Sequence, residues 1–249
     1  MARLRENLPE FLTPHYNQDL PVLLPRFDEM QAIVLQMIPY DPDFPLTFLD
    51  LGAGSGAFTA AILTQFPNSK AICVAHSEQA MTCARECLAA FPERVTYYRE
   101  DLNDYEAMES FHDPLHLGIS TLVLHHIPHT RKRSLFAEIF VKLALGGALI
   151  IADEILSPSD HLQRFYFKRW DAHVQEKIRE GRLSAEAETL WREFARENLG
   201  ESGYPAQPSS LYRAGMGIQM KWLVELGYME VDCYWKYHHW AIFGGYKTA

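Results

Sequence analysis

Within Asp50-Leu51-Gly52-Ala53-Gly54-Ser55-Gly56, one carboxylate stands just ahead of three glycines set two residues apart. Glycine at such positions tolerates positive φ and lets the backbone come close to a ligand. Where the loop opens a helix, the N-terminal amides favour an anionic or polar group. Two cofactor classes use a loop of this kind. Gly52, Gly54 and Ala57 satisfy the dinucleotide pattern G-x-G-x-x-G/A. An acid ahead of G-x-G-x-G instead suits S-adenosylmethionine, because the carboxylate can hold the methionine ammonium while the glycine backbone passes the nucleoside. A tight strand-to-helix turn is the plain structural alternative.

Other ionisable residues follow later apolar runs. His125 and His126 have the residue type for proton work near neutrality and are candidate catalytic groups; a histidine that caps a loop or lines a cofactor pocket would occupy the same position. Asp153, with Glu154 beside it, is a candidate base or a partner for a cationic substrate. A catalytic metal needs about three protein ligands, and no H-x-x-x-H or acidic triplet exists, so no metal is expected. Cys83 and Cys87 have ligand spacing on one helix but no second pair, and reduced, buried cysteines explain them better. The run Tyr234, Trp235, Tyr237, His238, His239, Trp240 suits either a substrate face or strand packing.

These groups need a frame, and the hydrophobic pattern supplies one. Leu46–Leu51 reads as a strand and is followed by the glycine loop and a helix ending near Pro67. Ala71–Ala75, Arg94–Tyr98, Leu117–Leu122 and Ala148–Ala152 repeat the strand pattern, with helices predicted over Glu78–Phe91 and Thr130–Leu143 and a turn at Gly146-Gly147. Strands alternating with helices indicate a mostly parallel α/β sheet with helices on both faces. Phe27 to Ile38 forms a helix stopped by Pro39, after a Pro-punctuated lead-in with one short helix. Residues 157–210 break the rhythm as a charged, aromatic-rich helical insertion ending in a Gly/Pro/Ser-rich turn. A helix over Met216–Leu226 then precedes Val231–Tyr237 and Trp240–Gly245, an antiparallel hairpin with about three residues between its strands.

With the elements in order, Phe48 to Gly56 resembles motif I of the class I S-adenosylmethionine-dependent methyltransferases. Arg99-Glu100-Asp101-Leu102 is similar to the family segment in which an aspartate meets the adenine. Ser120 to Ile127 resembles the fourth-strand segment lining the methyl-donor site. Leu145-Gly146-Gly147-Ala148-Leu149 is similar to the family's turn before strand five, and Phe243-Gly244-Gly245 falls in a hairpin like its sixth and seventh strands. The resemblance covers roughly residues 25–155 and 210–249 and implies a Rossmann-like seven-stranded sheet with an antiparallel terminal hairpin, forming one domain over 1–249. It implies S-adenosylmethionine as cofactor, held by Asp50, Gly52, Ala53, Gly54, Gly56, Ala75, His76, Asp101 and Leu102. It further implies a lid built from residues 1–40 and the insertion, with Tyr16 and Arg26 within reach of the cofactor. Among relatives the small-molecule enzymes look nearest, together with the wobble-uridine carboxy-S-adenosylmethionine synthase, whose extra carboxylate would need a cation such as Arg213.

Two positions depart from the family. The second strand usually ends in an acid that takes both ribose hydroxyls, and here Ala75 and His76 stand there. The acid near the start of the fourth strand is replaced by His116. Losing one charged hydrogen bond to a ligand costs about 1.5–3 kcal/mol, so a degenerate, non-catalytic protein of this fold is the rival reading. A dehydrogenase needs an acid about 20 residues past the loop and meets the same gap.

Composition narrows the partners. With 23 Lys+Arg against 32 Asp+Glu, the net charge of −9 argues against nucleic acid, which rewards a basic face, and leaves a small-molecule acceptor as the expectation. Four cysteines in 249 residues do not make a disulfide scaffold. No apolar run reaches the roughly 18–20 residues of a membrane span, and the first residues lack a signal-peptide core. A cytoplasmic protein is expected, with the aromatic-rich insertion as a candidate homodimer face.

Overall fold

Phe48, Leu49, Cys73, Val74, Ile119, Leu149 and Ile151 are almost wholly buried, as strands covered by helices on both faces must be. In the computed structural model, which describes residues 15–104, 114–199 and 212–248, such runs form β1 (Thr47–Leu51), β2 (Lys70–Ala75), β3 (Val95–Arg99), β4 (Leu115–Thr121) and β5 (Leu143–Glu154). They are joined by β6 (Met229–Tyr237) and β7 (Trp240–Tyr246). The order is β3-β2-β1-β4-β5-β7-β6. The first five strands are parallel, and β7 runs antiparallel to both β5 and β6. The mostly parallel seven-stranded sheet with an antiparallel terminal hairpin is therefore present.

Among the described residues eight α-helices flank it: α1 (Tyr16–Leu23), α2 (Phe27–Gln36), α3 (Ala57–Gln65), α4 (Glu78–Cys87), α5 (His129–Lys142), α6 (Asp160–Arg179), α7 (Ala185–Leu199) and α8 (Met216–Glu225). Alternate residues of each strand face opposite sides. Phe48, Ile119, Ile150, Ala152 and Ile242 pack with Met30 of α2, Ile62 of α3 and Trp170 of α6. Leu49, Leu51, Leu149 and Ile151 pack with Leu135 and Ile139 of α5 and Leu223 of α8. From β1 the chain steps outward through β2 to β3, then crosses back to β4 on the other side of β1. The carboxyl ends of β1 and β4 thus flank a topological switch point, where open α/β sheets bind ligands.

Some boundaries differ from the sequence reading. Helix α4 stops at Cys87, four residues short of the expected Phe91; the chain turns after Leu88, where the Phe91 amide donates to the Leu88 carbonyl at 2.9 Å. Strand β5 begins at Leu143, so Gly146-Gly147 is an irregularity inside a strand and not a turn before one; the pairing jumps from Leu115↔Leu143 to Leu117↔Ala148. The hairpin turn contains two residues, not three, since Tyr237 pairs with Trp240 and His238 adopts φ 56°. Residues 1–14 of the lead-in and the Gly/Pro/Ser-rich end of the insertion lie outside the described residues.

The insertion packs inward. Trp170 Nε1 donates to the Leu23 carbonyl at 2.8 Å, and His173 Nε2 lies 2.9 Å from the Val22 carbonyl. Asp19 of α1 accepts from the amide and hydroxyl of Ser184 ahead of α7, at 2.9 and 2.6 Å. Phe167, Trp170 and Trp191 are buried in the main core. Three of the insertion's aromatic residues thus join α6 and α7 to the core, while Phe165 stays exposed.

Candidate functional site

The glycine loop is tied to the sheet by its own backbone. The amides of Gly52 and Ala53 both donate to the Val74 carbonyl at 2.9 Å, and the Gly56 amide donates to the Ala53 carbonyl. Gly52, Gly54 and Gly56 take φ of 83°, 49° and 76°, a region costing other residues roughly 1–2 kcal/mol. At Gly52 a side chain would also collide, since an added Cβ would lie 2.5 Å from Cγ1 of Val123 at the β4 exit. Loop and β4 exit therefore form one close-fitted wall, and the bound amides position the loop while its crest at Gly54 and Ser55 faces the cleft.

That cleft measures about 550 Å³ including the solvent in its mouth, within the range of small-molecule sites. Gly52, Ala53, Gly54 and Ser55 form its floor; Phe58, Ala75, His76 and Ala80 one side; Thr121, Leu122 and Val123 the other; Tyr16 and Leu20 of α1 cover it. Of the residues expected to hold a cofactor, Gly52, Ala53, Gly54, Ala75 and His76 line the cleft together. Gly56 does not, because it serves as the left-handed start of α3. Asp101 is exposed, its carboxylate accepting from the amide and side chain of Asn103 at 2.9 Å each. Leu102 is buried, and its carbonyl accepts from Arg131 Nε. Tyr16 lines the cleft, whereas Arg26 bonds Glu29 at 2.9 Å and lies over the Tyr237 ring.

Asp50 sits beneath the loop. It is buried, with Oδ2 accepting from the Thr59 hydroxyl at 2.5 Å and Oδ1 lacking any partner. Burial pushes its carboxyl up to about 7, against the opposing effect of the Thr59 bond. An orphan carboxylate oxygen buried at the edge of the loop is the feature an incoming ammonium would satisfy. No carboxylate lines the cleft at the end of β2: Glu78 is exposed and reaches Arg99 at 3.3 Å and Arg85 at 3.7 Å. His116 is occupied structurally, accepting the Thr47 amide at 2.9 Å.

Beyond the cleft, the exits of β4 and β5 bring the candidate catalytic residues together. His125 Nδ1 donates to Asp153 Oδ1 at 2.6 Å, both side chains about 5 % exposed or less. A neutral histidine facing a carboxylate through Nδ1 must carry its proton there, which leaves Nε2 to receive another. His126 stacks obliquely on His125 at 4.0 Å, with both ring nitrogens buried and unpartnered. Burial and then the neighbouring His125 and Arg213 hold its pKa far below the usual value, so it is neutral and a poor proton acceptor. Of the two histidines, His125 is the one equipped as a base.

Lys132 and the pairing of Glu154 with Arg213 escaped sequence reasoning. Lys132 on α5 is buried and donates to the Tyr212 carbonyl at 2.9 Å; burial lowers its pKa to about 8, while Asp153 draws it upward. Arg213 lies 2.7 Å from Glu154, both almost fully buried. Fifty-nine positions separate that pair in sequence, and no local spacing announces it. Among the described residues no group of three His, Cys, Asp or Glu could hold a metal ion, and no helix is long and apolar enough to cross a membrane.

Comparison with known proteins agrees with this geometry. Residues 48–147 match a family described as a methyltransferase domain. The chain is 33 % identical over 76 residues to the release factor glutamine methyltransferase of Enterococcus faecalis, a match covering 30 % of this chain and 27 % of that protein. In fold it resembles an O-methyltransferase family protein from Burkholderia thailandensis (TM-score 0.61, 14 % identity, 96 % of this chain and 59 % of that one). It likewise resembles an O-methyltransferase family 2 protein from Planctomyces limnophilus in complex with apigenin (TM-score 0.60, 16 % identity, 98 % and 63 %). The chain thus spans about a quarter of the curated relative and about three fifths of these two structures.

Proposed function

We propose that this protein, whose residues 48–147 match a methyltransferase domain, transfers a methyl group from S-adenosylmethionine to a hydroxyl of a small-molecule acceptor. The observation that carries this reading is the meeting, at one sheet edge, of the glycine-loop cleft with the buried His125–Asp153 pair. Asp50 Oδ1 would take the methionine ammonium, the Gly52–Gly54 backbone would pass the nucleoside, and His76 would face the ribose in place of the missing acid. When bound, the cofactor supplies a methyl group activated by a positively charged sulfur.

The chain's own residues then have simple duties. His125 would accept the acceptor's proton at Nε2 while Asp153 steadies the resulting imidazolium. His126, neutral, would orient the hydroxyl. Helix α1, gripped by α6 through Trp170 and by Ser184 through Asp19, would close over the cleft and exclude water. On this reading residues 1–40 and 157–210 belong to the lid of a single domain.

Two rivals are weakened by particular contacts. A carboxy-S-adenosylmethionine synthase needs a free cation for the extra carboxylate, and Arg213 is already neutralised by Glu154. A dehydrogenase lacks its ribose acid, as Ala75 in the cleft shows. A non-catalytic binding protein is favoured by the same alanine, and measured turnover would decide against it. Calorimetry with S-adenosylmethionine and S-adenosylhomocysteine tests the proposal; absence of heat at millimolar concentration would sink it.

A further inference from the structure

Among the described residues, buried side-chain atoms without hydrogen-bond partners gather at one place. Both ring nitrogens of His126, both of His239, Glu154 Oε1, Arg213 Nε, Ser157 Oγ and Trp240 Nε1 are in that state. Arg213 Nε and Glu154 Oε1 approach to 2.7 Å, yet they are not aligned for a hydrogen bond. The segments that bear these groups are stitched together by backbone bonds: Ile155 to His239, Leu156 to Ala214, Tyr212 to His125. The cluster lies past the exits of β4 and β5, and none of its members lines the glycine-loop cleft. Native proteins rarely leave such groups unpaired, and a concentration of them marks a place where a ligand completes the bonds.

We propose that this cluster seats the methyl acceptor, and that the acceptor is an uncharged, flat ring carrying adjacent hydroxyls, a catechol-type compound. The inference rests on the methyltransferase reading and adds the acceptor's chemistry to it. The site has no net charge to offer. Glu154 and Arg213 cancel, and burial holds His126 and His239 neutral. A carboxylate would meet Glu154, and an ammonium would meet Arg213, each without a free counter-charge. A neutral imidazole gives one hydrogen bond and takes one, and so does a hydroxyl, so two adjacent hydroxyls match two such rings. Flatness is set by the wall: Phe167 stacks on His239 at 5.2 Å and 14°, with Trp170 at 5.3 Å, and Arg213 lies 5.7 Å over the same Phe167 ring.

The test is a titration of the S-adenosylhomocysteine-loaded protein with catechol, 3,4-dihydroxybenzoate and dopamine, followed through the fluorescence of Trp170 and Trp240 beside the cluster. Catechol is expected to bind at least ~10-fold more tightly than either charged analogue, and His239→Phe to weaken catechol ~10-fold or more. In that variant S-adenosylhomocysteine affinity should stay within about two-fold, because His239 does not line the cleft. Glu154→Gln is a second probe, and should His239→Phe fold poorly it carries the test by improving the relative binding of the anionic analogue. Equal or tighter binding of a charged analogue overturns the proposal, as does indifference of catechol to both variants or no catechol binding at all. If S-adenosylhomocysteine gives no heat, the same titration without it still tests the cluster, so failure of the cofactor reading shows separately.

Discussion

On the β1–β2 side of the crevice the walls are backbone and small side chains: Gly52 to Ser55, Ala75 and Ala80. Past the exits of β4 and β5 stand ionisable side chains instead, namely His125, His126, Asp153, Glu154 and Arg213, supplied by segments up to about 90 residues apart. The first side fixes its shape through main-chain bonds to Val74 and a glycine conformation that strains other residues. The second fixes its shape through paired charges in a buried setting, where every partner matters because each charge left alone is costly to bury. A shape made from backbone can be kept with little dependence on neighbouring side chains. A shape made from paired side chains can be tuned to one acceptor.

If that contrast is right, damage on the two sides should differ in kind. The largest effect is expected from Asp153→Asn: methyl transfer to catechol, followed with labelled methyl, should slow by ~10²–10⁴-fold. Cofactor affinity should hold within about two-fold, and a loss of affinity instead would merge the two sides into one. Gly52→Val acts on the other wall. The side chain needs space held by Val123 and a φ it resists, so S-adenosylhomocysteine binding should fall on the order of 100-fold by calorimetry.

Asp50→Asn should weaken cofactor binding ~10-fold or more and also change the response to pH. Burial holds the folded carboxyl at about 7, above its ordinary 3.8, with only the Thr59 hydroxyl and the Cys73 thiol close by. The folded state therefore holds a proton that the unfolded chain releases. The stability this contributes is complete below pH 3.8 and is lost as pH rises through 7, amounting to roughly 4 kcal/mol. Urea titrations from pH 4.5 to 8 should show the parent losing stability relative to the asparagine variant; parallel curves would mean that Asp50 is ionised throughout. The smallest effect should come from Ala75→Asp, which restores an acid at the cleft and should tighten cofactor binding by up to ~10-fold. No change there would favour a scaffold without turnover.

The sequence was most legible where structure is local. The apolar runs of the parallel strands, the glycine loop between Leu51 and Ala57, and the hairpin after Gly227 were all readable because buried strands and tight turns impose residue types at short range. Gly146-Gly147 misled for the same reason: a glycine pair looks like a turn whether it ends a strand or bends one. His125 and Asp153 were identified by type and by their place at strand ends, but their bond was not, since it depends on β4 and β5 lying side by side. Lys132 was invisible. A lysine on an amphipathic helix reads as a solvated residue, and only the path of residues 212–214 over α5 explains its burial.

The insertion of β7 between β5 and β6 has a consequence for biosynthesis. A ribosome delivers Trp240–Tyr246 last among the strands, yet this strand pairs on both sides and brings His239 and Trp240 to the acceptor cluster. The nascent chain could assemble the glycine-loop half early, while the edge of β5 stays open until β7 arrives. A stalled or truncated chain ending before residue 240 would keep a cofactor-shaped half with no acceptor wall, and its unpaired β5 edge would be a natural point of capture for a chaperone.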